Sequence, residues 1–215
     1  MATLYILWYA LFHKSKTIAV LANKAAQAAE ILLRIKNAYI KLPMWLQQGL
    51  RKWNNGEITM ENDTKIFCGA SSSSSVRGKS IDLLLVDEFA FIDDNMANAF
   101  MQSVFPTQAA KKDAMMILIS TPKGMNHFYA IWQKAKAGKN SFIPCKIQWY
   151  EVEGRDQAWL EKQIRDNGAQ FVAQEYQCLT GDNPVTIEYK IPDGRICTQT
   201  LPLEELYCLQ HEGLL

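Results

Sequence analysis

At 215 residues, with 48% hydrophobic and 21% charged side chains, the chain has an ordinary globular composition, long enough for one buried core plus an appendage or for two small domains. A formal net charge of +1 removes any global electrostatic argument for nucleic acid, so such a partner has to be argued from local sites. The five cysteines, at 68, 145, 178, 197 and 208, are odd in number and form no Cys-x-x-Cys pair, which argues against a disulfide framework and a zinc knuckle and fits a reducing cytoplasm.

The opening MATLYILWYALF is apolar, but it is shorter than the roughly twenty residues a membrane span needs. It also lacks the basic start and cleavage site of a signal peptide, so it reads as a buried helix. A chain that begins inside such a helix is expected to have had something upstream. TIAVLA follows as an apolar run without alternation, the pattern of a strand covered on both faces. KAAQAAEILLRIKNAYIKL places Ile31, Ile35, Ala38 and Leu42 on one helical stripe that ends before Pro43. Strand, turn and helix in that order make a βα unit.

GEITMENDTKIFCGA predicts two short strands around a turn at Glu61-Asn62-Asp63. ASSSSSVRGKS reads as a polar loop, and IDLLLVDEFAFID as a buried strand with carboxylates at its end. AMMILISTPKGMNHFYAIWQKAKAG repeats the pattern of strand, turn and helix, the helix carrying Phe128, Ile131 and Trp132. SFIPCKIQWYEV reads as a further strand, and DQAWLEKQIRDNGAQFVAQEY as helix interrupted at Gly168. Alternating strands and helices over residues 1 to 177 predict a mostly parallel sheet with helices on both faces. In such folds ligands bind at the carboxyl ends of the strands, so the informative residues follow each apolar run.

In LLLVDE, residues 83 to 88, four apolar residues lead to two acids at the sheet edge. In a Walker B arrangement Asp87 would hold Mg²⁺ through its water shell, and Glu88 would polarise the attacking water. The alternative is a strand that ends in two solvated acids. MMILISTPKG places Ser120 and Thr121 after an apolar run and before a turn through Pro122, where hydroxyls can sense the γ-phosphate or simply close a strand. Gly78-Lys79-Ser80 has the end of a Walker A motif, but Ser73 stands where the first glycine is required, and the loop precedes a strand where a phosphate loop should open a helix. It is not read as a phosphate loop, and no other G-x-x-x-x-G-K-[ST] occurs in the chain.

These residues carry a resemblance. TIAVLANKAAQAAEIL, the Trp53-Asn54-Asn55-Gly56 turn, SSSSSVRGKS, LLLVDEFAFI and STPKGMNHFYAIW, in that order, make residues 1 to 177 similar to the ATPase domain of the large terminase subunit of tailed bacteriophages, the motor that packages DNA into procapsids. The resemblance implies a RecA-like P-loop NTPase (ASCE) α/β fold, with Asp87 as Mg²⁺ ligand, Glu88 as catalytic carboxylate and Ser120-Thr121-Pro122 as coupling motif. It also implies Arg77 as an arginine finger toward a neighbouring subunit's nucleotide. The cofactors would be Mg²⁺ and ATP, and the partners double-stranded DNA, the portal and the small terminase subunit, in the cytoplasm of an infected bacterial host and without a membrane. The family's phosphate loop, expected just before the helix that here begins at Met1, and its nuclease domain, expected near residue 178, are not in the sequence. Hydrolysis by the isolated chain is therefore expected to be weak or nil.

From Cys178 the pattern changes to short strands and turns: Gly181-Asp182, strand-like Val185 to Tyr189, the Pro192-Asp193-Gly194 turn, a return over Arg195 to Thr198, then Glu205-Leu206. Residues 178 to 215 resemble the N-terminal piece of an intein, a short β-rich part of the Hint fold. The resemblance implies that Cys178 attacks the carbonyl of Gln177 to form a thioester, making residues 1–177 an N-extein. An intein's Thr-x-x-His motif and terminal His-Asn are missing, so the intein would be cut short or naturally split, its partner a chain carrying the C-terminal intein piece and the terminase nuclease. Two other readings stay open: an ATPase fragment with an inert tail, and a non-catalytic module that keeps only the fold.

Overall fold

The computed structural model describes residues 1–72, 76, 78–109, 111–172, 175–176, 184–190 and 196–202, and for 107–109, 170, 184–190 and 196–202 the backbone alone. The chain packs as two compact units, Met1–Ser120 and Thr121–Leu215.

In the first unit, helix α1 (Ala2–Phe12) leads into strand β1 (Thr17–Ala22) and helix α2 (Ala25–Ile40). Three strands follow: β2 (Leu50–Asn54), β3 (Glu57–Met60) and β4 (Lys65–Ala70). After the serine loop come β5 (Leu83–Asp87), helix α3 (Asp94–Ala109) and β6 (Met115–Leu118). The six strands form one sheet in the order β2-β3-β4-β1-β5-β6. Strands β4, β1, β5 and β6 run parallel, while β2 and β3 add an antiparallel edge, so the sheet is mixed.

The apolar runs explain the order. Ile18 to Ala22 are all fully buried, as befits a strand flanked and covered on both faces, and β1, like β5, has parallel neighbours on each side. On one face Ile18, Val20, Leu83 and Leu85 join Ile6, Leu7 and Ala10 of α1 and Ile31, Leu32 and Ile35 of α2 in one cluster. Each such aliphatic side chain contributes about 2 kcal/mol on burial. On the other face Ala19, Leu21, Leu84 and Val86 are equally inaccessible. Helix α3 is an element that the sequence patterns above do not include; it has Ala97, Phe100, Met101 and Val104 buried at helical spacing.

Helix α1 is buried on one side only: Leu4, Tyr5, Trp8 and Phe12 remain exposed, so the expectation of a buried helix holds for half of its surface. The turn at Glu61-Asn62-Asp63 joins β3 and β4 as predicted, with Asp63 left-handed at φ 65° and Asn62 Oδ1 accepting from the Thr64 N–H at 3.0 Å. No helix among the described residues is long and apolar enough to cross a membrane.

The second unit contains helices α4 (His127–Lys136) and α5 (Gln157–Asn167), then one more turn at Ala169–Val172. Asn126 caps α4 through Oδ1, which accepts from the N–H groups of Phe128 and Tyr129, and Asp156 caps α5 by accepting from Trp159. Gly168 separates the two last helical pieces at φ 88°, a left-handed angle that a side chain would oppose. Strands β7 (Pro184–Lys190) and β8 (Ile196–Pro202) pair antiparallel as a hairpin of their own.

SFIPCKIQWYEV is not a strand. Residues 142 to 148 carry no regular structure, and Trp149–Glu151 is a 3-10 turn. Pro144 has no N–H for a ladder, and Ile143 is 93% exposed, so the apolar letters mark no covered sheet position here.

Candidate functional site

Strand β1 pairs with β5 so that Ala22 stands opposite Asp87, and both strands therefore end at the same sheet edge. Helix α2 begins three residues after Ala22, which brings its first turns beside the acids at the end of β5. Together Ala26, Gln27, Glu30, Ile31, Arg34, Asp87 and Glu88 line a groove of about 410 Å³.

Asp87 is the last residue of β5 and half-buried. Burial pushes its carboxyl above the usual Asp range and the adjoining Glu88 charge adds to the rise, while a hydrogen bond from the Glu88 backbone and the charge of Arg34 offset part of it. A buried carboxylate beside a second carboxylate is a place where a cation is favoured.

Glu88 takes the left-handed conformation at φ 51°, ψ 39°, which costs a residue with a side chain on the order of 1 kcal/mol. The turn behind it is pinned to the end of β6. The Phe89 N–H donates to the Ile119 carbonyl at 3.1 Å, the Ala90 N–H to Ser120 Oγ at 3.1 Å, and the Ile119 N–H to the Val86 carbonyl at 2.9 Å. Phe89 and Ala90 are buried, so the turn is anchored by packing as well. The Glu88 carboxylate is held from the other side by Gln27, whose Nε2 donates to Oε2 at 2.8 Å.

Of the residues singled out in the sequence, Asp87, Glu88 and Ser120 meet at one edge of the first unit. Thr121 and Pro122 open the second unit. Arg77, Gln177 and Cys178 lie outside the described residues. The Gly78-Lys79-Ser80 segment leads into β5, and Lys79 Nζ sits over the Phe67 ring at 4.0 Å, so this lysine is engaged with an aromatic face of β4. Sequence reasoning missed Gln27 and Arg34. Their signal was position alone: the first turns of the helix that follows a strand adjoining the acidic one.

Among the described residues no group of three or more His, Cys, Asp or Glu could cage a metal. Mg²⁺ takes one or two carboxylates and completes its shell with waters and substrate phosphates, so two adjacent acids can supply the protein's share of such a shell. Asp87 and Glu88 fit such a donor set.

The fold and site thus define an α/β protein with paired acids at the carboxyl edge of a parallel sheet core, in a groove against the N-terminal turns of a helix. Residues 1–188 match the family model "Terminase large subunit, T4likevirus-type, N-terminal", and the chain belongs to that family. It is 23% identical over 172 residues to the "Terminase, large subunit" of Thermus phage G20c, the match covering 68% of this chain and 35% of that protein. The chain thus spans about a third of the length of the curated relatives it matches.

Solved structures of large terminases share the fold. The large terminase ATPase domain of Thermus phage P74-26 superposes with a TM-score of 0.55 at 15% identity, over 81% of this chain and 80% of that one. The large terminase of a thermophilic bacteriophage, solved in complex with ADP, superposes with a TM-score of 0.63 at 12% identity, over 82% of this chain and 43% of that one.

Proposed function

We propose that the chain forms part of an ATP-driven DNA-packaging motor of a tailed bacteriophage, and that the groove at Asp87 and Glu88 takes part in nucleotide hydrolysis. The observation that carries this is the pair of acids at the end of β5, held in a groove of a terminase-family fold. The thermophilic-phage relative, crystallised with ADP and with ATP-gamma-S, supports a nucleotide as the ligand.

In this reading Asp87 is the carboxylate toward Mg²⁺, which supplies charge neutralisation at the phosphates when bound. Glu88 orients the attacking water, with its backbone fixed by the turn that Ser120 closes. Ser120-Thr121-Pro122 passes the loss of the γ-phosphate to the rest of the chain, and Arg77 serves a neighbouring subunit's site as arginine finger. Double-stranded DNA, the portal and the small terminase subunit are the partners, in the cytoplasm of the infected host.

The test is equilibrium binding of a fluorescent ATP analogue with Mg²⁺, alone and with a polypeptide that carries the family's phosphate loop. Binding that is lost in Asp87→Asn supports the reading; equal affinity in Asp87→Asn sinks it. Absence of all nucleotide binding with the phosphate-loop polypeptide present would leave the chain a non-catalytic module.

A second reading concerns the tail: residues 178 to 215 act as the N-terminal piece of a split intein, with Cys178 attacking the Gln177 carbonyl and a separate chain supplying the remainder. The β7–β8 hairpin favours it, since it falls where an intein-like start calls for two strands. The terminase family match runs on to residue 188, past the seam between residues 177 and 178. Mixing the chain with a candidate C-terminal intein chain should give a longer ligated product by mass spectrometry. Ligation that survives Cys178→Ala would rule the mechanism out, and no ligation with any matched partner would leave the tail chemically inert.

A further inference from the structure

We propose that Gln27 is the positioning residue for Glu88, an inference that rests on reading Glu88 as the water-orienting carboxylate. Gln27 stands at the third position of α2, and its Oε1 accepts the Lys24 backbone N–H at 3.2 Å, which closes the first turn of the helix. That bond fixes which end of the amide faces outward. With the oxygen turned to Lys24, the nitrogen faces the groove and donates to Glu88 Oε2 at 2.8 Å. The opposite amide orientation would put the Gln27 oxygen against a carboxylate and its NH₂ against a backbone N–H, so both partners select the same one.

The consequence falls on Glu88. Its backbone is already held left-handed by the turn, and the Gln27 amide then fixes the side chain by occupying Oε2. Oε1 remains the acceptor for a water in the groove that Asp87 also lines. A helix cap needs only the bond from Lys24. The second bond, to a residue 61 positions away on another element, adds nothing to the cap and orients the acid.

Gln27→Glu separates the two roles, because glutamate at this position keeps the acceptor for Lys24 but sets a carboxylate against Glu88. Gln27→Met keeps the length and removes both bonds. In the full chain, three-bond NMR couplings of the Glu88 side chain should report a single rotamer in the wild type and an averaged one in both variants, while the Tm of Gln27→Glu stays within a few degrees of wild type. In a reconstituted packaging motor that hydrolyses ATP, Gln27→Glu should lower kcat at least tenfold with KM unchanged. Unaltered Glu88 couplings in Gln27→Glu would overturn the positioning role. Failure of the wild-type chain to bind Mn²⁺·ATP in the presence of the phosphate-loop polypeptide would instead overturn the nucleotide reading, so the two failures are distinguishable.

Discussion

Ser120 Oγ accepts a hydrogen bond from the Ala90 backbone N–H at 3.1 Å, and so ties the end of β6 to the turn that holds Glu88 left-handed. A residue read from the sequence as a sensor of phosphate is therefore also a structural anchor of the acid it is proposed to serve. Ser120→Ala removes that bond and should lower stability by about 1 kcal/mol, measured by urea unfolding. Ser120→Thr, which keeps the hydroxyl, should recover most of the loss. If Ser120→Ala matched wild type in stability, the anchoring role would be wrong.

Asp87 has a raised native carboxyl, so its contribution to stability runs opposite to that of an ion-paired acid. The native state keeps the proton to a higher pH than the unfolded chain does, and stability falls as pH rises from the ordinary Asp range through the raised native value. Asp87→Asn should therefore give a higher Tm than wild type at pH 7 and remove part of the pH dependence, while it weakens Mg²⁺-nucleotide binding at least tenfold. Calorimetry at pH 3.5, 5 and 7 checks the first statement. A lower Tm for Asp87→Asn at pH 7 would contradict it.

Asp82 lies at the other end of β5 and behaves in the contrary way. Burial alone would push its carboxyl up, but Lys111 at 2.6 Å, the Thr17 N–H at 2.7 Å and the Lys16 charge bring it below the usual range. Its stabilisation is present above the unfolded pKa and is lost as pH falls through the depressed native value. Asp82→Asn should cost about 2 to 3 kcal/mol at pH 7, since Lys111 and the β1 N–H lose a shared charged acceptor. The difference between variant and wild type should shrink in acid, which denaturation at pH 3 and pH 7 would show.

The exposed side of α1 presents Leu4, Trp8 and Phe12, with Leu4 58% and Phe12 60% accessible. An apolar stripe of this kind promotes association. Sedimentation of the chain at tens of micromolar should show self-association, and Leu4→Glu with Phe12→Glu should reduce it without loss of Tm, because neither side chain is in the buried cluster. A monomer at all concentrations would contradict this.

Much of the fold was legible because the strongest signals are local. TIAVLA and LLLVDE read as covered strands since a short unbroken apolar run bounded by polar residues suits a strand buried on both faces, and β1 and β5 are those strands. Gly168 and Asp63 mark a break and a turn because their backbone angles restrict which residues fit. SFIPCKIQWYEV misled for the converse reason. Its apolar letters have no sheet to cover, and periodicity cannot reveal whether a neighbour exists.

The candidate site divides along the same line. Local sequence was enough to place Asp87 and Glu88 after a buried strand and Ser120 after another, because strand ends are written in the chain itself. That Ala22 lies beside Asp87, that Gln27 therefore reaches Glu88, and that Ser120 closes the turn behind it came only with the pairing of β1, β5 and β6. Hydrogen bonds between residues 30 and 61 positions apart depend on which strands are neighbours, and that choice is made by the burial of whole faces, which no short stretch of sequence contains.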